Sequence, residues 1–234
     1  MIDFHSHALP GIDDGARDCC KSAEMLNNSK LAGVELVVLT PHFYCRHSIT
    51  EFTERRSFAL AELQSYCEER SIELPKLKLG AEVAFSYELF AHKDLNRLCI
   101  EGTSTMLLEL PFTCWNSWMF EKIFELEASH GINVVIAHGE RYLKSPKEIT
   151  RLSRIFEMNI PIQLNADSFF MLSKKRIVSK LLEKEHTYIL GSDMHNTTTR
   201  KTMLAKCSRS IEKKYGEEFL RRLEGNALNL LEMS

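Results

Sequence analysis

Met1-Ile2-Asp3-Phe4-His5-Ser6-His7 opens the chain, a short apolar run that reads as a strand and ends on two histidines. In an extended strand, residues i and i+2 share a face about 6 to 7 Å apart, so His5 and His7 can grip one ion together. Imidazole is a common ligand for divalent transition metals, and its neutral form is available near pH 7. A lone His-x-His is weak, because a pair of surface histidines reads the same way. Its weight comes from the rest of the chain.

The same unit recurs outward from that start. Apolar, β-branched-rich runs stand at 2–4, 36–40, 77–79, 106–110, 134–137, 160–164 and 187–190, the pattern of buried strands. Helical periodicity fills 17–32, 51–70, 87–97, 117–130, 146–158, 174–185 and 198–215, and 217–233 reads as one or two capping helices. Ser48 or Thr50 can cap the helix near Glu51, while Gly33 and Gly131 stop theirs. Strand then helix, repeated about seven times, predicts parallel strands in an α/β fold, either an open doubly wound sheet or a barrel. No repeat or Pro/Gly/Ser-rich linker divides the chain, so 1–234 is expected to form a single domain.

Placed on that map, the residues able to bind metal choose one edge. His5, His7, His42, Glu82, Glu109, His138, Asp193 and His195 fall at or just past the carboxyl ends of predicted strands, and Asp14, beside Asp13, lies in the first loop. Parallel α/β proteins build active sites at that edge, where the loops converge. His47, His92, His130 and His186 fall in helical or loop contexts and read as ordinary polar residues. The ligand set is nitrogen and oxygen only and exceeds what one tetrahedral ion needs. Two or three divalent metals sharing carboxylates are therefore expected, with manganese, iron and zinc open. Arg141 follows His138 and Arg200 follows His195, where a guanidinium can hold phosphoryl oxygens in bidentate fashion. Metals flanked by arginines suit a phosphate ester.

Composition excludes other classes. With 44% hydrophobic and 26% charged residues, the chain has the balance of a soluble protein with a substantial core. Its 30 basic and 32 acidic residues form no block that would meet nucleic acid or an anionic membrane. The N-terminus lacks the charged and apolar regions of a signal peptide, and no run reaches the roughly 18 apolar residues of a membrane span. A cytoplasmic location is expected. None of the seven cysteines sits in a Cys-x-x-Cys pair, and no phosphate-binding loop follows Cys114. Disulfides, a thiolate zinc site and a cysteine-based phosphatase are therefore not expected.

Several local sequences carry a resemblance. Asp3-x-His5-x-His7, Thr40-Pro41-His42, Gly80-Ala81-Glu82, Ile136-Ala137-His138 and Ser192-Asp193-Met194-His195 occur in the order found in the polymerase and histidinol phosphatase (PHP) family. Ile12-Asp13-Asp14-Gly15, His138-Gly139-Glu140-Arg141-Tyr142 and Asn196 with Arg200 most resemble its manganese-dependent tyrosine-protein phosphatases, bacterial proteins encoded beside capsule and exopolysaccharide genes. The resemblance implies a distorted seven-stranded (β/α) barrel, TIM-barrel-like, with a trinuclear site. One metal would be held by His5, His7, Glu82 and Asp193, a second by Glu82, Glu109 and His138, and a third by Asp14, His42 and His195. Arg141 and Arg200 would bind phosphate, and a metal-activated hydroxide would hydrolyse phosphotyrosine on the tyrosine-rich tail of an autophosphorylated bacterial tyrosine kinase. In the loop after the fourth strand, 111–118 is unusually aromatic, and Trp115 and Trp118 read either as packing residues or as a wall beside the phosphotyrosyl ring. The alternatives are a histidinol-phosphate or other small-molecule phosphatase of the same family and a non-catalytic metal-binding or docking module.

Overall fold

The apolar runs pair in parallel. In the structure, a computed structural model that describes residues 1–233, the strands are β1 (Ile2–Ser6), β2 (Leu36–Leu39), β3 (His42–Phe43), β4 (Lys76–Leu79), β5 (Glu82–Ala84), β6 (Thr105–Glu109), β7 (Asn133–Ile136), β8 (Ile162–Asn165) and β9 (Tyr188–Gly191). The α-helices are α1 (Cys19–Leu31), α2 (Ile49–Glu69), α3 (Ser117–His130), α4 (Ser153–Glu157), α5 (Lys175–Leu182), α6 (Leu204–Tyr215) and α7 (Glu217–Glu232).

The strands form two sheets, ordered β1-β2-β4 and β3-β5-β6-β7-β8-β9. The described residues thus hold nine strands in two sheets, where the resemblance implied seven in one closed barrel. The two extra strands, β3 and β5, lie just past the expected runs 36–40 and 77–79, beyond Thr40-Pro41 and Gly80-Ala81. Proline has no N–H to donate at such a point. The ladder resumes beyond it, with Glu82 N donating to Pro41 O at 3.1 Å. Between β1 and β9 an isolated parallel bridge joins Ser6 to Met194.

Apart from β4, which alternates Lys and Leu and is partly exposed, most strand residues are buried on both faces, as their apolar character requires. Met106, Leu108, Val134 and Ile136 pack in the main core that the helices complete. The alternate positions Leu107 and Val135 join Phe4, Val38 and Ile189 in a second cluster, under Ala227, Leu230 and Leu231 of α7. Helix α7 is tied to the amino ends of the strands: Thr105 Oγ1 donates to Leu230 O at 2.6 Å and Asn226 Nδ2 to Tyr188 O at 3.0 Å. That end is covered, and the carboxyl ends are left for chemistry.

Asp18 and Ser48 accept from amides in the first turns of α1 and α2, and Gly131 ends α3 in the left-handed region. Three expected helices are shorter than their periodicity suggests. Residues 87–97 hold only the 3-10 turns Glu88–Ala91 and Leu95–Leu98, and Pro146–Leu152 is a 3-10 segment before α4. The third, α6, starts only at Leu204, because Asn196 Oδ1 accepts from the amides of Thr198, Thr199 and Arg200 and closes a polar turn instead.

Candidate metal centre

The expected ligands gather at one edge, carried by β1, β3, β5 and β6 and by the segments after β1, β7 and β9. His5 lies in β1 and His7 just beyond; His42 is in β3, Glu82 begins β5 and Glu109 ends β6. His138 follows β7, while Asp193 and His195 follow β9. His138 and Asp193 have φ of 34° and 50°, a left-handed conformation costing non-glycine residues roughly 1 to 3 kcal/mol and concentrated at functional sites.

The donor atoms converge. His5 Nε2 and His7 Nε2 are 3.0 Å apart, and Glu82 Oε2 lies 3.2 and 3.1 Å from them. Asp193 Oδ1 faces the same two nitrogens at 3.8 and 3.4 Å. The other oxygen of Glu82 is 2.8 Å from His138 Nε2, which also lies 3.2 Å from Glu109. Asp14 Oδ1 stands 3.6 Å from His42 Nε2 and 3.5 Å from His195 Nε2. By proximity the groups able to hold an ion are His7 with Asp14, His42 and His195; His5 with His7 and Asp193; and His42 with Glu82 and Glu109. His7 and His42 thus stand between groups that the resemblance kept apart.

The arrangement fits divalent ions. Three imidazoles each engage one nitrogen elsewhere and turn the other toward this space: His7 Nδ1 meets Asp13 Oδ2 at 2.6 Å, His195 Nδ1 meets Asp193 O at 2.9 Å, and His5 Nδ1 meets Gln163 Oε1 at 2.9 Å. His195 Nε2 is buried and makes no hydrogen bond among the described residues, a costly state unless something binds it. Electrostatics agree. Burial disfavours a charged His7, yet Asp13 and Glu82 outweigh it and raise its pKa to about 10. Burial likewise opposes a charged His138, but Glu109 and Glu82 lift it to about 9. Burial would raise Asp193, but His5 and His7 hold it well below the usual carboxylate range. Around His7 and His138 the carboxylates thus favour positive charge, which metal ions would supply while releasing the protons, whereas burial and the charges of His7 and Arg200 lower His195 to about 4 and leave it neutral.

Both arginines reach it. Arg200 Nη2 donates to Asp193 Oδ1 at 2.9 Å and Arg141 Nη1 to Asp193 Oδ2 at 3.5 Å, with their side chains 40% and 38% exposed. They line a groove of about 600 Å3 with Asn165, Ser168, Phe170 and Lys174.

Of the aromatic loop, the ring that reaches the cluster is Phe112, which sequence reading passed over. It is half exposed, stacks near His138 at 5.9 Å and lies beneath the Arg141 guanidinium at 5.2 Å. Trp115 donates from Nε1 to Pro111 O and packs against Phe120 and Tyr142. Trp118 stacks on Tyr87 at 3.7 Å. Gln163 and Asn165 were also missed, while Asp13, read beside Asp14, supports His7 from behind. The first two left one signal, amides inside the apolar run Ile160 to Asn165.

A solved structure from work on YwqE of Bacillus subtilis and CpsB of Streptococcus pneumoniae, described there as metal-dependent tyrosine phosphatases, matches with a TM-score of 0.84. It is 26% identical, and the match covers 100% of this chain and 96% of that one. Tyrosine-protein phosphatase YwqE of Bacillus subtilis is 28% identical over 99% of this chain and 91% of its own length. Tyrosine-protein phosphatase CpsB of Streptococcus agalactiae is 27% identical over 93% of this chain and 92% of its own. A TatD-like protein of Archaeoglobus fulgidus, 16% identical over 94% of this chain and 100% of its own, shares the fold with a TM-score of 0.50. A model of the capsular polysaccharide synthesis family CpsB/CapC matches residues 1–232, and the chain belongs to that family.

Proposed function

We infer that this chain is a metal-dependent tyrosine-protein phosphatase of capsule and exopolysaccharide synthesis, hydrolysing phosphotyrosine without a phosphoenzyme. One observation carries the reading: a buried nitrogen-and-oxygen cluster lies directly beneath two half-exposed guanidinium groups that share Asp193. The family supports it, since the relatives named above are tyrosine-protein phosphatases.

His5, His7, Glu82 and Asp193 would hold one ion, Glu82, Glu109 and His138 a second, and Asp14, His42 and His195 a third. Manganese is our assignment, although iron and zinc suit the same donors. When bound, such ions act as Lewis acids that acidify water and neutralise phosphoryl charge. Arg141 and Arg200 bind the phosphoryl oxygens through paired N–H donors. Asp193 holds both guanidinium groups over the cluster before substrate arrives, so little reorganisation remains for the reaction. Phe112 flanks the aryl ring, and the leaving phenolate, with a pKa near 10, needs little protonation. The substrate we assign is the tyrosine-rich tail of a bacterial tyrosine kinase. Residues 1–234 act as one unit in the cytoplasm, and no helix among the described residues is long and apolar enough to cross a membrane. We read the two sheets as a distorted seven-stranded barrel, a view supported by the Ser6–Met194 bridge.

The test compares a phosphotyrosine peptide with histidinol phosphate, using protein stripped of metal and then reloaded with Mn2+. Metal-dependent phosphate release that strongly favours the peptide is expected. Full turnover by the stripped protein, or a preference for histidinol phosphate, would overturn the reading.

A further inference from the structure

We propose that Gln163 and Asn165 of β8 are positioning residues that fix the tautomer of His5 and the orientation of Asp193, an inference that rests on the metal-dependent reading above. Strand β8 is the one sequence-predicted strand that carries no ligand, yet both amides are buried behind the cluster.

The hydrogen positions follow by elimination. A backbone N–H can only donate, and His138 N lies 2.8 Å from Gln163 Oε1, so that amide atom is an oxygen whichever way the side chain is drawn. The same oxygen lies 2.9 Å from His5 Nδ1. Nδ1 must therefore carry the proton, and the lone pair of His5 is left on Nε2, which faces His7, Glu82 and Asp193. The remaining nitrogen of Gln163 donates to Asn165 Oδ1 at 2.9 Å, which turns Asn165 Nδ2 toward Asp193 Oδ2 at 2.8 Å. Asp193 Oδ2 is thereby held from behind, which sets Oδ1, where Arg200 also donates, toward the histidines.

One glycine makes room for the relay. A Cβ at Gly191 would come within 2.6 Å of His5 Cβ and 2.8 Å of Gln163 Nε2. Any larger residue there would drive the amide away from the imidazole. Polar partners behind metal ligands set their tautomer and rotamer, and losing one typically weakens metal binding roughly 10- to 100-fold.

Nitrogen-15 NMR of the zinc-loaded wild-type protein reads the tautomer directly, and a proton on His5 Nδ1 with Nε2 coordinated is expected. In calorimetric titration with Mn2+, Gln163→Leu should lose roughly 10- to 100-fold in affinity. Gln163→Glu keeps an acceptor for both His5 and His138, and it should bind Mn2+ clearly more tightly than Gln163→Leu. A His5 proton on Nε2 in the wild-type protein, or a folded Gln163→Leu that binds Mn2+ as tightly as wild type, would overturn the relay. The NMR experiment needs no variant, so it decides even where Gln163→Leu fails to fold. Failure of the wild-type protein to bind any metal would instead bring down the phosphatase reading itself.

Discussion

His5, His7, Glu82, His138 and Asp193 lie in one half of the cluster, almost completely buried. In the other half the Asp14 side chain is 66% exposed, and His42 and Glu109 are partly open to solvent. In the inner half His5, His7 and Asp193 have partners of their own: Gln163 behind His5, Asp13 behind His7, and Asn165 with the two arginines on Asp193. Asp14 stands at the mouth, its carboxylate facing His42 and His195. Ligands held by other groups in the fold cost little to organise when an ion arrives, whereas an exposed carboxylate without such support must be ordered by the ion itself. On the proposed ligand set, the inner half is expected to hold its metal more tightly than the half that includes Asp14.

That contrast can be broken most sharply at Asp193. Asp193→Ala removes a ligand and frees both arginines, and we expect turnover of an aryl phosphate to fall by roughly three orders of magnitude or more, beyond a single lost oxyanion donor. Circular dichroism should still report a folded protein, and excess metal should not restore activity. Asp14→Ala tests the outer half: a loss of roughly 10- to 100-fold in apparent metal affinity, as for other weakened metal shells, should be largely recovered at high Mn2+. An Asp14→Ala enzyme that metal cannot rescue would erase the distinction. A smaller effect is expected at the rim, where Phe112→Leu should cost about 1 kcal/mol of aryl recognition. It would be read as a raised KM for phosphotyrosine with no change for an alkyl phosphate.

His186 supplies the background against which the cluster is judged. It is half-buried between Phe156 and Tyr188 and bonded to Ile160 O, with no carboxylate partner among the described residues. Burial lowers its pKa below 6.5, opposite to His7. Its neutral form is favoured in the fold, so its share of stability is full above pH 6.5 and declines as pH falls toward the lower folded value. Denaturant titrations of wild type and His186→Asn between pH 7 and pH 5 should differ by this slope, the variant being flatter; equal slopes would remove the contrast.

Much of this site was legible because ligation depends on residue type and strand position, both written locally. His5, His7, Glu82, His138 and Asp193 could be assigned to strand ends before any contact was known. Pairings across the sheet could not. That Gln163 reaches His5 across 158 residues, or that Phe112 and not Trp115 faces Arg141, depends on register and loop packing that have no local signature. The short strands β3 and β5 were missed for a related reason. A ladder can resume on the far side of a break over two or three residues, too few for hydrophobic periodicity to register.

The bridge between Ser6 and Met194 has a consequence in time. Asp193 N donates to His5 O at 2.8 Å and Ser192 N to the Asp3 carboxylate at 2.7 Å, so the first strand is finished only by the last. During synthesis the histidines emerge first, but the carboxylate and amides that complete their grip emerge almost 190 residues later. Such contacts of high sequence separation form late in folding. A chain cut short before β9 should therefore bind Mn2+ no better than its unfolded state, as titration of that fragment would read. Metal capture thus works as a proof of completeness, open only to molecules whose two ends have met.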